Sequence, residues 1–206
     1  MSFSAAPPAR PARIKVEPRG PDETNITAPD PCSWLIKTRS SGVCRTANQQ
    51  SVQGQNGQMH DRLRMARPGD YDAIAAVADD WWGRPILASL PRLFLDHFHR
   101  TSYIVDGDGG PEAFLIGILS PSQPGHAYIH FVGVAPHARK LGYGRALYEE
   151  FFRLARADGR SFVSAITGPV NLRSASFHQA MGFTVTGPVA GFNGPGHDML
   201  VFGREL

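Results

Sequence analysis

Cysteine is nearly absent from this sequence: there are two in 206 residues, Cys32 and Cys44. Both precede residue 60, so the rest of the chain offers no thiol nucleophile, no disulfide and no thiolate zinc site, and no metal is expected. No apolar run approaches the roughly 18 residues of a membrane-spanning helix, and the N-terminus lacks the apolar core of a secretory signal. The sequon Asn25-Ile26-Thr27 therefore has no secretory context, and the expectation is a cytoplasmic protein with no membrane partner. A strong charge of one sign is missing too, since 21 basic side chains face 18 acidic ones for a formal net charge of +3.

That small excess is unevenly placed. Residues 1–60 hold seven Lys and Arg against four Asp and Glu, whereas residues 61–206 hold fourteen of each. Seven charges spread over sixty residues form no dense basic patch, which argues against a nucleic-acid partner. The same stretch is rich in Pro, Ser, Gln, Asn and Thr, has few large apolar residues, and shows neither helical nor strand periodicity. These marks predict a disordered basic tail over 1–60 and a folded domain over 61–206. Translation beginning at Met59 or Met65 is the alternative account of the tail.

From residue 62 the pattern becomes regular. Leu63 to Arg67 reads as a short strand, followed by a helix with Tyr71, Ile74, Val77 and Ala78 at helical spacing. The segment Asp79-Asp80-Trp81-Trp82-Gly83-Arg84-Pro85 is expected to interrupt it, and a second helix runs through Leu90, Phe94 and Phe98. Ser102 to Asp106 and Glu112 to Ser120 read as antiparallel strands joined at Gly107-Asp108-Gly109-Gly110, with His126 to Val134 as a third apolar run. Arg145 to Ala157 carries Leu147, Phe151, Leu154 and Ala155 on one stripe, with Glu149 and Arg153 spaced for an i,i+4 ion pair. A strand at Ser161 to Ile166, a helix at Asn171 to Met181 and strands at Phe183 to Thr186 and Asp198 to Phe202 complete the order β-α-α-β-β-β-α-β-α-β-β. This is an α/β mixture with an antiparallel meander at its front, not a purely parallel doubly wound sheet.

One stretch carries chemistry. Arg139-Lys140-Leu141-Gly142-Tyr143-Gly144-Arg145 lies between the run ending Val132-Gly133-Val134-Ala135-Pro136 and a long amphipathic helix. A dinucleotide fingerprint would need a small residue at Leu147, and a phosphate-binding loop of the nucleotide triphosphatases would need Gly-Lys-Ser/Thr; neither is present. What remains is a helix start whose unpaired N–H groups converge with the positive end of the helix dipole. Glycine lets that backbone approach phosphate oxygens closely, and Arg139, Lys140 and Arg145 add charge nearby.

This stretch, following Val134-Ala135-Pro136, resembles the acyl-CoA signature Arg/Gln-x-x-Gly-x-Gly/Ala of the GNAT superfamily of N-acyltransferases. A second block, Asn171-Leu172-Arg173-Ser174-Ala175-Ser176-Phe177-His178-Gln179-Ala180-Met181-Gly182-Phe183, resembles the family's later helix. The resemblance implies a GNAT-like fold over 61–206, a mixed and mostly antiparallel central sheet flanked by helices, with acetyl-CoA as acyl donor. It further implies that Val132, Gly133 and Val134 hydrogen-bond the pantetheine arm and polarise the thioester carbonyl. Arg139, Lys140, Gly142, Tyr143, Gly144 and Arg145 would hold the pyrophosphate, and Asn171 and Ser174 would line the opposite wall; Asn171 is equally well placed as a plain helix cap. Where many members have a tyrosine near the coenzyme sulfur this chain has His178, which is expected to donate a proton to the leaving thiolate.

The catalytic base is less marked, because the strand in which many members carry a glutamate reads His126-Ala127-Tyr128-Ile129-His130-Phe131. Alternation sets His126, Tyr128 and His130 on one face and Ala127, Ile129 and Phe131 on the other, making His130 and Tyr128 the candidates to deprotonate an amine. The acceptor is expected beside the early helices, where Asp80, Trp81 and Trp82 could hold a cationic or aromatic amine. Core packing or a homodimer contact would explain a tryptophan pair equally well. The sequence thus supports acetyl transfer to the primary amine of a small molecule. Its alternatives are an acyl-CoA-binding module without turnover, and an acetyltransferase of protein N-termini or lysines.

Overall fold

The structure, a computed structural model, describes residues 61–206; the tail expected over 1–60 and both cysteines lie outside them. Seven strands form one sheet in the order β1-β2-β3-β4-β5-β7-β6. They are β1 (Leu63–Met65), β2 (Tyr103–Gly107), β3 (Gly110–Leu119), β4 (His126–Val134), β5 (Phe162–Thr167), β6 (Thr184–Val189) and β7 (Met199–Glu205). Every pairing is antiparallel except β4 with β5. Four helices join them: α1 (Tyr71–Trp82), α2 (Leu93–Phe98), α3 (Tyr143–Ala157) and α4 (Leu172–Ala180). The order of elements is the one read from the sequence. Among the described residues no helix is long and apolar enough to cross a membrane.

The helices divide between the two faces of the sheet. Leu147, Tyr148, Phe151, Phe152 and Ala155 of α3 pack with His178 and its neighbours on α4 over Val105, Leu115, Ala127, Ile129, Val163 and Phe202. On the other face Ile74 of α1 and Leu95 of α2 cover Ile104, Phe114 and Ile116. Arg64 locks the front of this second layer, since its guanidinium forks onto Asp106 of β2 at 2.6 and 2.9 Å and onto Asp70, just before α1, at 2.8 and 2.9 Å. Bidentate pairing of this kind holds the planar group firmly, and it lowers the Asp70 carboxyl below its usual range.

Two local expectations are corrected. Helix α1 is not interrupted at Asp79 but runs through Trp82, ending where Gly83 turns left-handed at φ 65° and donates its N–H to the carbonyls of Asp79 and Asp80. Both tryptophans pack on the sheet, Trp81 stacked on Phe114 at 5.8 Å and Trp82 tilted on Phe131 at 5.2 Å. Gly133 makes this fit possible, because a Cβ there would lie 2.8 Å from the Trp82 ring and 2.6 Å from Phe114. On α3 the expected pair of Glu149 with Arg153 is replaced by Arg153 with Glu150 at 2.5 Å, while Glu149 faces Arg145 at 3.6 Å.

Candidate active site

The site originates in one extra residue in β4. Ile116 of β3 faces Phe131, yet the next residue, Gly117, faces Ile129, so His130 is a bulge with no partner in the ladder. A bulge bends its strand and shifts the side-chain alternation by one. Ala127 and Ile129 accordingly face α3 and α4, whereas Phe131 packs with Phe114 and Ile116 under α1 and α2, not with Ala127 and Ile129 as alternation predicted. Beyond the bulge Val132 and Val134 return to the α3 side.

The bend also parts the two parallel strands. Pairing of β4 with β5 extends only from His126 with Phe162 to Ile129 with Ala165. After that β4 continues along β3, while Ile166 and Thr167 stay with β7. A wedge therefore opens at the carboxyl ends of β4 and β5, where ligands of α/β sheets commonly sit. Helix α3 begins at its mouth. Lys140 and Gly142 both take positive φ, 70° and 92°, and Gly142 caps the helix. Gly144 lies between the wedge and α4, since a Cβ there would be 3.5 Å from Phe177 and 3.9 Å from Val134. Those are ordinary contacts, so packing within the chain does not require glycine at this position.

The acetyltransferase (GNAT) family model matches residues 71–183, more than half of the chain. The chain belongs to the GNAT acetyltransferase family. Solved GNAT structures share its fold at low sequence identity. One acetyltransferase from Desulfovibrio desulfuricans superimposes with a TM-score of 0.60 at 21% identity, covering 69% of this chain and 97% of its own. A ribosomal-protein-alanine N-acetyltransferase from Brucella melitensis gives 0.55 at 21% identity over 70% of this chain and 99% of its own. A phosphinothricin acetyltransferase from Sinorhizobium meliloti, solved with AcCoA, gives 0.55 at 19% identity over 70% and 87%. No curated protein matches the sequence. As a GNAT member the chain is an acyl-CoA-dependent N-acyltransferase, with acetyl-CoA as donor.

The wedge and the α3 start fit that donor. Backbone groups of Val132, Gly133 and Val134 beyond the β5 pairing border the gap, and α3 starts at Gly142 with no side-chain cap, so its first N–H groups lack intrahelical partners. Lys140 and Arg145 are exposed beside them. Three of the expected coenzyme contacts have side chains engaged elsewhere. Arg139 donates from Nη2 to the carbonyl of Trp81 at 2.9 Å and, more weakly, from Nε to that of Val134 at 3.4 Å. Tyr143 is buried in the core, 9% exposed, with its hydroxyl near Glu112. Asn171 caps α4 by accepting from the Ser174 N–H at 3.2 Å and donates to Thr167 Oγ1 at 3.1 Å.

Of the candidate catalytic groups, His178 lies in a setting unsuited to the expected acid. It is 6% exposed and stacked on Phe202 with ring centres 3.8 Å apart. Its Nδ1 lies 2.8 Å from the Ser174 carbonyl, which can only accept, so that nitrogen carries the proton. The other nitrogen, Nε2, then accepts from the Tyr148 hydroxyl at 2.9 Å. Burial holds the imidazole below its ordinary 6.5 and keeps it neutral. Both nitrogens are thus committed to the interior.

His130 has the opposite character. Its Nε2 lies 2.9 Å from the carbonyl of Ser89, so the proton resides on Nε2 and Nδ1 keeps its lone pair, with no hydrogen-bond partner among the described residues. The ring stacks on Phe94 at 4.0 Å, and burial lowers its pKa from 6.5. Tyr128, 6.3 Å from it between ring centres, has its phenol raised by burial, which suits a proton donor better than a base. Asp80 is exposed at the end of α1, beside the half-buried Trp81 and Trp82. No group of three His, Cys, Asp or Glu among the described residues could hold a metal. Ser89 and Phe94 left no signal of a site role in the sequence, because they precede β2 by many residues and meet His130 only once the helices cover the sheet.

Proposed function

We propose that this GNAT member transfers the acetyl group of acetyl-CoA to the primary amine of a small molecule, by direct attack in the wedge between β4 and β5. The observation that supports this most strongly is the parting of those strands after Ile129, with the left-handed start of α3 at the mouth. Lys140, Arg145 and the N–H groups around Gly142 and Gly144 hold the pyrophosphate, and backbone groups of Val132 to Val134 hold the pantetheine arm. Acetyl-CoA supplies a thioester carbonyl open to attack. A backbone N–H of Val132 to Val134 aimed at that oxygen stabilises the charge it gains. His130 Nδ1 takes the proton of the amine, and the Ser89 carbonyl fixes the tautomer this requires. As the tetrahedral intermediate collapses, the C–S bond breaks, and the phenol of Tyr128 on the same strand gives its proton to the leaving CoA thiolate. Trp81, Trp82 and Asp80 border the acceptor side. Its place of action in this reading is the cytoplasm.

Thiol release from acetyl-CoA across a panel of alkyl and aryl amines and short peptides tests this reading. Turnover on a small amine, falling about a hundredfold in kcat/KM for His130→Ala, is the expected result. Turnover on peptide N-termini alone would overturn the acceptor class, and coenzyme binding with no turnover on any amine would overturn the transfer.

A further inference from the structure

Hydrogen bonds at both ends of the last turn of α1 link the coenzyme loop to His130, and the first of them is made by Arg139. The guanidinium of Arg139 bonds the carbonyl of Trp81, one of the last of α1, from 58 residues away. A cation at a helix C-terminus is favourable because the unpaired carbonyls carry the negative end of the dipole. Two residues back, Asp79 is an anion at that same negative end, where it gains nothing from the helix. It is satisfied instead by the following loop: Asp79 Oδ1 accepts the N–H of Ile86 at 2.7 Å and of Leu87 at 3.2 Å. Ile86 is buried, 3% exposed, and Leu90 at the end of the same loop packs with Ile74 and Leu95 in the core. The next bonds, Ser89 N–H to the Ile86 carbonyl at 2.8 Å and Leu90 N–H to the Leu87 carbonyl at 3.0 Å, form a tight turn. That turn presents the Ser89 carbonyl to His130 Nε2.

We infer that Arg139 and Asp79 are positioning residues which couple the coenzyme loop to His130 through the end of α1 and the Ile86 to Ser89 turn. The inference rests on the reading of His130 as the base. Arg139, which the sequence motif assigns to the pyrophosphate, serves through its side chain to hold the acceptor wall against the donor loop. Asp79, which no motif marks, sets the height of the Ser89 carbonyl and with it the ring orientation of His130.

Long-range proton–nitrogen NMR of the full chain labelled at its histidine ring nitrogens reads this directly. The wild-type His130 ring is expected to show the single tautomer protonated at Nε2, and His178 the one protonated at Nδ1. Asp79→Ala and Arg139→Met should each convert the His130 pattern to a mixture while leaving that of His178 unchanged, so that His178 reports an intact fold. Asp79→Asn, which keeps an accepting oxygen, and Arg139→Lys, which keeps a cation, should restore it. In steady state Asp79→Ala should lower kcat about tenfold with the KM for acetyl-CoA within twofold of wild type. Should Asp79→Ala lose the His178 pattern and hence the fold, Arg139→Met, altered at an exposed residue, decides the matter. An unchanged His130 tautomer in a folded Arg139→Met or Asp79→Ala protein would overturn the coupling. If His130→Ala kept full turnover while the tautomer still responded to Asp79→Ala, the base reading would fail and the positioning would stand.

Discussion

Replacing His178 by phenylalanine separates a structural histidine from a catalytic one. The ring stack on Phe202 at 3.8 Å would be kept, but the Tyr148 hydroxyl, on a residue 2% exposed, would lose the acceptor it has at 2.9 Å. Leaving a buried hydroxyl unpaired costs about 1 to 3 kcal/mol, and at about 2 to 4 °C per kcal/mol for a domain of this size the Tm should fall by roughly 2 to 12 °C. Adding Tyr148→Phe removes the orphaned group and should recover most of the loss, so the double-mutant cycle should show a coupling of about 1 kcal/mol or more. The pH dependence gives a second reading. The folded imidazole is held below 6.5 by burial, while in the unfolded chain it protonates near 6.5. Stability is therefore complete above pH 6.5 and is lost as the pH falls below it, with a slope of up to about 1.4 kcal/mol per pH unit from this group. His178→Phe should flatten that acid limb in denaturant titrations, leaving the part due to His130, which burial shifts in the same direction. Thermal unfolding and kcat are measured together: a kcat within about threefold of wild type is expected. A hundredfold loss of kcat with an unchanged Tm would refute the structural assignment.

Four further substitutions probe the site and its support. Gly144→Ala places a methyl in ordinary contact with Phe177 and should fold with wild-type stability yet weaken CoA binding at least tenfold by calorimetry, whereas Gly142→Ala forces a φ of 92° on alanine and should cost about 1 kcal/mol in stability besides. Gly133→Ala would press a methyl to 2.6 Å from Phe114 and 2.8 Å from Trp82; a loss of about 1 to 3 kcal/mol in urea unfolding, with a change in tryptophan fluorescence, is expected. The Tyr103 hydroxyl is buried without a partner, and desolvation pushes its pKa up to about 12, so Tyr103→Phe should leave stability unchanged or raise it by up to about 1 kcal/mol.

The order of strands and helices was legible because each element announces itself locally, by period and by its glycine stops. The loop proposed to hold the coenzyme stands out in the sequence for the same reason, being a short contiguous pattern. The bulge at His130 was not, since His126 to Phe131 alternates polar and apolar residues without a break and an extra residue in a strand has no composition of its own. It decides which face Phe131 takes and where β4 leaves β5, so the wedge could be expected only from resemblance. The burial of His178 depends on Tyr148, thirty residues away, and on Phe202 across the sheet. The bond from Arg139 to Trp81 likewise joins residues that no local pattern relates. Within one helix, Glu149 and Glu150 stand four and three residues before Arg153, both within pairing reach, so spacing alone does not choose between them.

Backbone amide NMR during titration of the full chain with CoA tests most directly whether the wedge is the coenzyme site. The largest shifts should fall on Val132 to Val134 and on Lys140 to Gly144, and they should be absent when both Gly142→Glu and Gly144→Glu are introduced. Shifts confined to other surfaces, or undiminished binding by the doubly substituted chain, would contradict the account.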